Sequence, residues 1–346
     1  MAYELKDRLV VGLASSALFD LDESDAVFRQ QGETAYRQYQ RDKQNIPLKQ
    51  GVAFPFIKRL LSLNELSPED PPVEVVLLSR NDPDTGMRVM ESIAHYGLGI
   101  TRAVFLQGKP PHMYIPALEI SLFLSANESD VREAMAAGHP AGQVLESSFN
   151  DDETDSELRI AFDFDGVLAD DEAETVFKQN DLAGFFAHET KQAKIPLKRG
   201  PLADFLGKLS LIQQRERAMQ QEQADYKPKL RIAIATARNA PAHERVINTM
   251  RSWDIMVNEA FFLGGIEKRR VLEVLRPHIF FDDQKAHLEH ASKVLPAVHI
   301  PFGVANGHAG TGATSSTPEQ SLDEKSKRAG QTSDDNTPSL PDAASA

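Results

Sequence analysis

An internal repeat is the feature of this chain that most constrains its fold. When residues 11–18 are moved forward by 149 positions they fall on residues 160–167, and residues 46–49 fall on 195–198. A shift of 157 or 158 positions pairs Arg80-Asn81 with Arg238-Asn239, Phe105-Leu106 with Phe262-Leu263, and Leu122-Phe123 with Ile279-Phe280. Because the matched blocks keep their order, we predict two copies of one unit, residues 1–149 and 158–303, joined by an acidic linker at 150–157.

Each copy alternates apolar segments of strand length with amphipathic helical patterns. In the second copy the predicted strands are 159–162, 231–235, 260–263, 278–281 and 297–300, and the predicted helices include 242–253 and 284–294. This alternation predicts an α/β fold made of two Rossmann-type lobes, each with a parallel sheet covered by helices on both faces. The mostly helical segment 170–227 is predicted to form a cap over the carboxyl ends of the strands, where functional residues of such sheets collect.

The composition excludes several classes of protein. The chain has no cysteine, so disulfides and thiolate metal sites are excluded. It has no apolar run of roughly 18 residues and no secretory pattern at its start, so we expect a cytoplasmic protein without membrane contacts. The net charge of −13 argues against a nucleic-acid partner. Residues 304–346 are rich in small and polar residues, which predicts a disordered tail.

Polar side chains follow the predicted strands of the second copy where these strands end. Asp163 and Asp165 follow the first strand, and Thr236 ends the second. Lys268 follows the third strand, and Asp282-Asp283 ends the fourth. Because the carboxyl ends of parallel strands meet at one edge of a sheet, we expect these side chains to converge on one crevice.

These residue types suit the hydrolysis of a phosphate ester. Asp163 can attack phosphorus as a nucleophile, while Asp165 can protonate the leaving alkoxide and later deprotonate water. Mg²⁺ would reduce the repulsion between the carboxylate and the phosphate. The candidate metal ligands are Asp163, Asp165, Asp282 and Asp283. The candidate ligands of the phosphate oxygens are Thr236, Ala237, Arg238 and Lys268.

The motif set resembles that of the haloacid-dehalogenase-type phosphatases, and more closely that of the cytosolic type I 5′-nucleotidases. The stretches that carry the second resemblance are Thr236-Ala237-Arg238, Arg251-Ser252-Trp253, residues 278–284 and residues 299–303 in the second copy, and residues 53–56 and 122–126 in the first. The resemblance covers about residues 8–303. It implies hydrolysis of nucleoside 5′-monophosphates, typically AMP or IMP, with magnesium as the cofactor.

The first copy lacks every catalytic side chain of the second. Through the repeat, the six catalytic positions meet Ala14, Ser16, Leu78, Pro111, Ser125 and Ala126. An acidic stretch at 19–24 imitates the motif, but in register it lies beyond the strand end, so we interpret it as a solvated turn. We therefore predict that the first copy is catalytically inactive. It could complete the nucleotide pocket, bind an effector nucleotide, or only bury surface.

Several assignments stay open at the level of sequence. Lys268, Arg269 and Arg270 offer three cations at one helix start, of which family register favours Lys268. Either Asp282 or Asp283 could bind the metal directly. Arg238 could reach the phosphate or the ribose. The spacing of His287 and His290 suits a metal, but no third ligand accompanies them.

The predicted cap carries aromatic residues that could stack on a base. They are Phe177, Phe185 and Phe186, with His188 beside them, and core packing is the alternative explanation. Two other functions compete with a nucleotidase: a phosphatase of sugar phosphates or other small phosphomonoesters, and a nucleotide-binding regulator without turnover. A homo-oligomer also stays open.

Overall fold

The fold is built on one mixed sheet of ten strands. The computed structural model describes residues 3–179 and 182–307. The strands are β1 (Leu9–Leu13), β2 (Phe19–Asp20), β3 (Lys49–Gln50), β4 (Val73–Ser79), β5 (Arg102–Phe105), β6 (Leu122–Ser125), β7 (Ala141–Val144), β8 (Leu158–Phe162), β9 (Leu230–Thr236), β10 (Glu259–Phe262), β11 (Ile279–Asp282) and β12 (Ala297–His299). The sheet has the order β10-β9-β8-β11-β12-β7-β6-β1-β4-β5, and β2 pairs with β3 separately.

Helices cover the sheet and connect its strands. They are α1 (Ser15–Leu18), α2 (Asp22–Asp42), α3 (Phe54–Ser62), α4 (Met87–His95), α5 (Glu128–Ala136), α6 (Glu172–Gln179), α7 (Leu182–Lys191), α8 (Ala203–Glu222), α9 (His243–Ser252), α10 (Arg269–Leu275) and α11 (Lys285–Ala291). The predicted α/β class is confirmed. Among the described residues, no helix is long and apolar enough to span a membrane.

The two halves of the sheet have the same strand order. In the first half β5, β4, β1, β6 and β7 are adjacent in that order, and in the second half β10, β9, β8, β11 and β12 follow the same order. Pairing is parallel within each half. The predicted strands of the second half match the observed ones to within one residue at every end, because most of them are nearly continuous apolar runs that are buried in the sheet.

The halves join edge to edge through antiparallel pairing of β7 with β12. Ser125, Gln143, His299 and Asp282 are neighbours in one row across this seam. A Cβ at Gly142 would lie 2.4 Å from Cγ1 of Val298, so the close approach here requires glycine. The expectation of two separate lobes therefore needs correction, because the halves share one sheet.

The strand register also corrects one position of the sequence repeat. Leu13 pairs with Leu77, and the equivalent Phe162 pairs with Ile234. The residue two positions after each partner is Ser79 in the first half and Thr236 in the second. Ser79, rather than Leu78, is thus the counterpart of Thr236, and the first half keeps a hydroxyl at this position. By the same register Asn81, rather than Arg80, is the counterpart of Arg238.

Only part of the predicted cap lies over the strand ends. Helix α8 packs on the sheet instead, with the Phe205 ring 6.1 Å from that of Phe162 and 6.0 Å from that of Phe281. Burying each such ring contributes about 1.5–3 kcal/mol. The sheet-packing stripe of α8 comprises Phe205, Leu206, Leu209 and Ile212. The cap is therefore limited to α6 and α7.

The segments flanking the second half are tied to the sheet. The buried Arg59 of α3 donates to the carbonyl oxygens of Asp152 and Asp155 and pairs with Asp151, which docks the acidic linker. Beyond β12, the Asn306 amide donates to the Asp283 carbonyl at 2.9 Å. The predicted start of the tail at residue 304 is therefore too early, because residues 304–306 form a short 3₁₀ helix. Residues 308–346 lie outside the described residues.

Candidate active site

The end of β8 positions the candidate nucleophile at the floor of a crevice. The Asp163 backbone N–H donates to the Phe281 carbonyl at 2.8 Å, which continues the ladder between β8 and β11. Its carboxylate accepts from the Phe164 N–H at 2.7 Å. Gly166 follows with φ of 72°, and a Cβ there would lie 2.6 Å from the Asp283 Oδ2. The turn after β8 therefore brings two acidic strand ends into contact.

Lys268 links the acidic residues of β8 and β11. Its Nζ lies 2.7 Å from Asp163 Oδ2 and 2.6 Å from Asp282 Oδ2, and the side chain is only 4% exposed. Arg269 instead pairs with Glu273 on the exposed face of α10, and Arg270 lines an outer groove. Of the three adjacent cations, the structure thus brings Lys268 to the crevice.

Asp282 and Asp283 have different surroundings. Asp282 is saturated: its carboxylate contacts Lys268, accepts from the Gln284 N–H at 2.8 Å, and lies 3.2 Å from His287 Nδ1. Asp283 Oδ1 is buried without a hydrogen-bond partner among the described residues. This unpartnered buried oxygen is the observation that most favours a bound cation at this position.

The local electrostatics also favour a cation. Burial raises the pKa of Asp163 to about 7 despite the opposing charge of Lys268, with Asp282 and Asp165 adding negative charge. Burial likewise raises the pKa of Asp283 to about 9, helped by the charges of Asp163 and Asp282. Lys268 alone does not compensate these carboxylates, so a hard divalent ion fits this donor set.

Thr236 and Arg238 form the wall contributed by β9. Thr236 is buried, and its Oγ1 accepts from the Arg238 N–H at 3.1 Å. The guanidinium of Arg238 forms a fork with both carboxylate oxygens of Asp165, at 2.7 and 2.8 Å. It also pairs with the buried Glu189 of α7. Arg238 is therefore occupied by carboxylates, and the same fork engages the Asp165 side chain that was a candidate metal ligand.

A cavity of about 440 Å³ opens above these residues. Its floor and walls include Asp163, Asp165, Thr236, Ala237, Arg238, Gln284 and His287. Its cap side is lined by Ala173, Glu174, Phe177, Leu182, Phe185 and Phe186. Three of the four predicted cap residues thus line the cavity, whereas His188 contacts Glu189, with Nδ1 3.2 Å from Oε1.

His287 lines the cavity, whereas His290, which shares its helix face, does not contribute to it. Asp163, Asp282 and His287 each place one ligand atom within 4.8 Å of the others. Lys268 Nζ, however, already bridges Asp163 and Asp282, so these three atoms do not enclose an open ligand position. His290 instead lies 3.9 Å from Glu267. Asp283, whose Oδ1 has no hydrogen-bond partner among the described residues, is a further carboxylate whose chemistry fits a cation.

Sequence reasoning missed the buried Glu189 and its second partner, Arg245. Arg245 Nη1 lies 2.9 Å from Glu189 Oε1, and Arg245 Nη2 lies 3.0 Å from Glu172. The repeat contained a signal for this pair, because Gln40 occupies the position of Glu189 in the first copy. The change from the neutral Gln40 in the first copy to the charged Glu189 in the second distinguishes the copy with the catalytic motifs from the copy without them.

Similarity to known proteins identifies the family of this chain. Human cytosolic 5′-nucleotidase 1B is 34% identical over 295 residues, covering 84% of this chain and 48% of the human protein, so the chain spans about half the length of this curated relative. A crystal structure of histidinol dehydrogenase from Elizabethkingia anophelis covers 84% of this chain and 52% of its own at 8% identity, with a TM-score of 0.20 that supports no conclusion. Residues 1–307 match the family model described as 5′-nucleotidase. The chain therefore belongs to the 5′-nucleotidase family, in agreement with the resemblance to its cytosolic type I members.

Proposed function

We propose that this chain hydrolyses nucleoside 5′-monophosphates to a nucleoside and inorganic phosphate. The observation that carries the proposal is the position of the buried Asp163 beside Lys268 and Thr236, at the floor of a cavity of about 440 Å³ with aromatic cap residues. A phosphate at the floor would leave the nucleoside between the strand ends and the cap. Phe177, Phe185 and Phe186 then offer ring faces and edges to a base. Family membership supports the same substrate class.

The proposed reaction has two steps. An oxygen of the Asp163 carboxylate attacks phosphorus, the P–O5′ bond breaks, and Asp165 gives a proton to the leaving O5′ so that the nucleoside departs as an alcohol. Water then attacks phosphorus of the aspartyl phosphate and gives its proton to Asp165. Inorganic phosphate leaves and the Asp163 carboxylate is restored. In this proposal Lys268, Thr236 and the Ala237 backbone hold the non-bridging oxygens.

Mg²⁺ is the proposed cofactor, held by Asp163 and Asp283, with Asp282 supporting the site through Lys268. When bound, Mg²⁺ would offset the negative charge shared by the phosphate and the nucleophile. The orphaned Asp283 Oδ1 and the uncompensated carboxylates support this assignment. Asp165 is a weaker candidate ligand, because Arg238 engages both of its carboxylate oxygens.

Mg²⁺ should raise the thermal unfolding temperature of the protein. A ligand at one hundred times its Kd stabilises the folded state by about 2.7 kcal/mol. Replacing Asp283 with Asn should remove most of this shift, whereas Asp22→Asn, in the acidic turn of the first half, should retain it. Differential scanning fluorimetry against Mg²⁺ concentration measures both shifts. An unchanged shift in Asp283→Asn would exclude this residue as a ligand.

A panel of phosphomonoesters tests the substrate class. The panel contains AMP, IMP, CMP, ribose 5-phosphate and glycerol phosphate, each assayed with Mg²⁺ for phosphate release and compared by kcat/KM. We expect at least about a tenfold preference for a nucleotide over ribose 5-phosphate, because one stacked base contributes about 1–3 kcal/mol. Equal values for AMP and ribose 5-phosphate would instead favour a phosphatase of sugar phosphates.

Two further proposals are the cellular location of the protein and the role of the first half of its sheet. We propose a cytoplasmic location, supported by the word cytosolic in the name of the human relative. The first half is proposed to be non-catalytic, since Ala14 stands at the position of Asp163 and Ser125 at that of Asp282. An effector nucleotide at this half and a homo-oligomer remain proposals without a structural contact that selects them.

A further inference from the structure

A buried charge network connects the cap to the proposed proton-transfer residue. Glu189 of the cap helix α7 is 1% exposed and pairs with Arg238, which holds Asp165 by its two-pronged fork. On its other oxygen Glu189 accepts from Arg245, which also donates to the Ile195 carbonyl at 3.0 Å. Glu189 on the cap thus holds Arg238, and Arg238 in turn orients Asp165 after β8.

The first half keeps the arginine of this arrangement but has a neutral residue in place of Glu189. There Arg88 occupies the place of Arg245 and donates to the Ile46 carbonyl at 3.0 Å, as Arg245 does to Ile195. Gln40 occupies the place of Glu189 and accepts from Arg88 at 3.3 Å. A neutral amide is therefore sufficient for the packing role of this position.

The other two members of the network are also uncharged in the first half. Asn81 occupies the place of Arg238 and accepts from Tyr36 at 3.1 Å, while Ser16 occupies the place of Asp165. The carboxylate at 189, the guanidinium at 238 and the carboxylate at 165 thus occur together, in the half that carries Asp163. Their co-occurrence indicates that the charge of Glu189 serves the reaction rather than the fold.

We propose that Glu189 is a positioning residue that, through Arg238, holds the Asp165 carboxylate in line with the leaving oxygen when α7 is docked over the site. This inference rests on the proposed function, because it assigns Glu189 a part in the transfer of a proton from Asp165 to O5′. Arg238 needs a second carboxylate to stay in place, since a guanidinium held by one partner only can follow that partner as it moves. Docking of the cap then completes the catalytic arrangement.

The test compares Glu189→Gln with wild-type protein on two leaving groups. AMP releases a basic alkoxide that requires a proton, whereas p-nitrophenyl phosphate releases an anion that is stable without one. We expect kcat with AMP to fall about 10- to 100-fold, the scale of a misplaced catalytic group, with KM changing less than about threefold. In the first turnover, release of p-nitrophenolate should be slowed clearly less than release of adenosine, because the aryl leaving group needs no proton from Asp165. The second step needs Asp165 as a base with either substrate.

Two further variants separate positioning from folding. Gln40→Ala removes the equivalent contact to Arg88 in the first half and should leave kcat with AMP unchanged. Glu189→Asp keeps the charge on a shorter side chain, so it should fold even where Glu189→Gln does not. We expect it to show a smaller loss of kcat with the same dependence on the leaving group. Thermal unfolding temperatures of all variants accompany the rates.

The outcomes are distinct. Unchanged kcat with AMP in the folded Glu189 variants, or equal losses with both substrates in the rate of leaving-group release during the first turnover, would overturn the positioning role. If wild-type protein hydrolyses p-nitrophenyl phosphate and glycerol phosphate but not AMP, the proposed substrate is wrong, and the same comparison of alkyl with aryl phosphate still tests Glu189. Loss of kcat in Gln40→Ala equal to that in Glu189→Gln would also contradict the inference.

Discussion

Replacing Asp163 with Asn should abolish phosphate release from AMP while the protein stays folded. The Asn side chain keeps the size of the Asp side chain and can still accept from the Phe164 N–H, but its amide cannot form an acyl phosphate. The loss in kcat should be at least about 10⁴-fold, the scale found when the nucleophile of an enzyme with a covalent intermediate is removed. Phosphate release under saturating AMP and Mg²⁺ measures it.

The matched control is Asp22→Asn in the first half. Asp22 belongs to the acidic stretch that imitates the motif, but it lies in the first turn of α2 rather than at a strand end. Its replacement should leave kcat unchanged. An Asp163→Asn protein with native circular dichroism and wild-type turnover would contradict the assignment of the nucleophile.

Replacing Lys268 with Met should lower both activity and metal-free stability. Removing one donor to the charge that develops on the phosphate should reduce kcat about 10²- to 10³-fold. Without the ammonium, Asp163 and Asp282 lose the cation that both contact, and breaking a buried pair costs about 3–5 kcal/mol. Because the proposed Mg²⁺ would supply positive charge to Asp163 as Lys268 does, its stabilising effect should be larger in the variant than in wild type.

Arg269→Met is the control for this substitution. Arg269 is adjacent in sequence, but its guanidinium contacts the exposed Glu273 on the outer face of α10. Its loss should change the free energy of unfolding by less than about 1 kcal/mol and leave kcat unchanged. Chemical denaturation with and without Mg²⁺ measures the stabilities. Equal changes in kcat and in the free energy of unfolding for Lys268→Met and Arg269→Met would contradict the assignment of Lys268 to the site.

Much of the fold and of the catalytic floor could be predicted from the sequence. Strands such as β8 and β9 are apolar apart from one arginine near the start of each, so their bounds and their parallel pairing follow from burial on both faces. Asp163 and Thr236 stand where those runs end. Their convergence at one edge follows from the geometry of a parallel sheet and requires no long-range information.

The remaining features depend on contacts that no local pattern specifies. The pairing of β7 with β12 is set by how two half-sheets approach each other, and it places Gly142 against Val298. The ion pair between Arg238 and Glu189 likewise joins a residue after a strand end to a residue of a cap helix. A charged residue in a helical pattern predicts a solvated face, and burial of Glu189 follows only from the docked cap.

The chemical identity of the phosphorylated residue tests the account most directly. Wild-type protein in excess over 5′-³²P-labelled AMP is quenched with acid within the first turnover, digested with protease, and its labelled peptide is identified by mass spectrometry. We predict that the label is sensitive to hydroxylamine, as an acyl phosphate is, lies on the peptide that contains Asp163, and is absent from Asp163→Asn. Label on a different residue, or release of phosphate by Asp163→Asn at the wild-type rate, would contradict it.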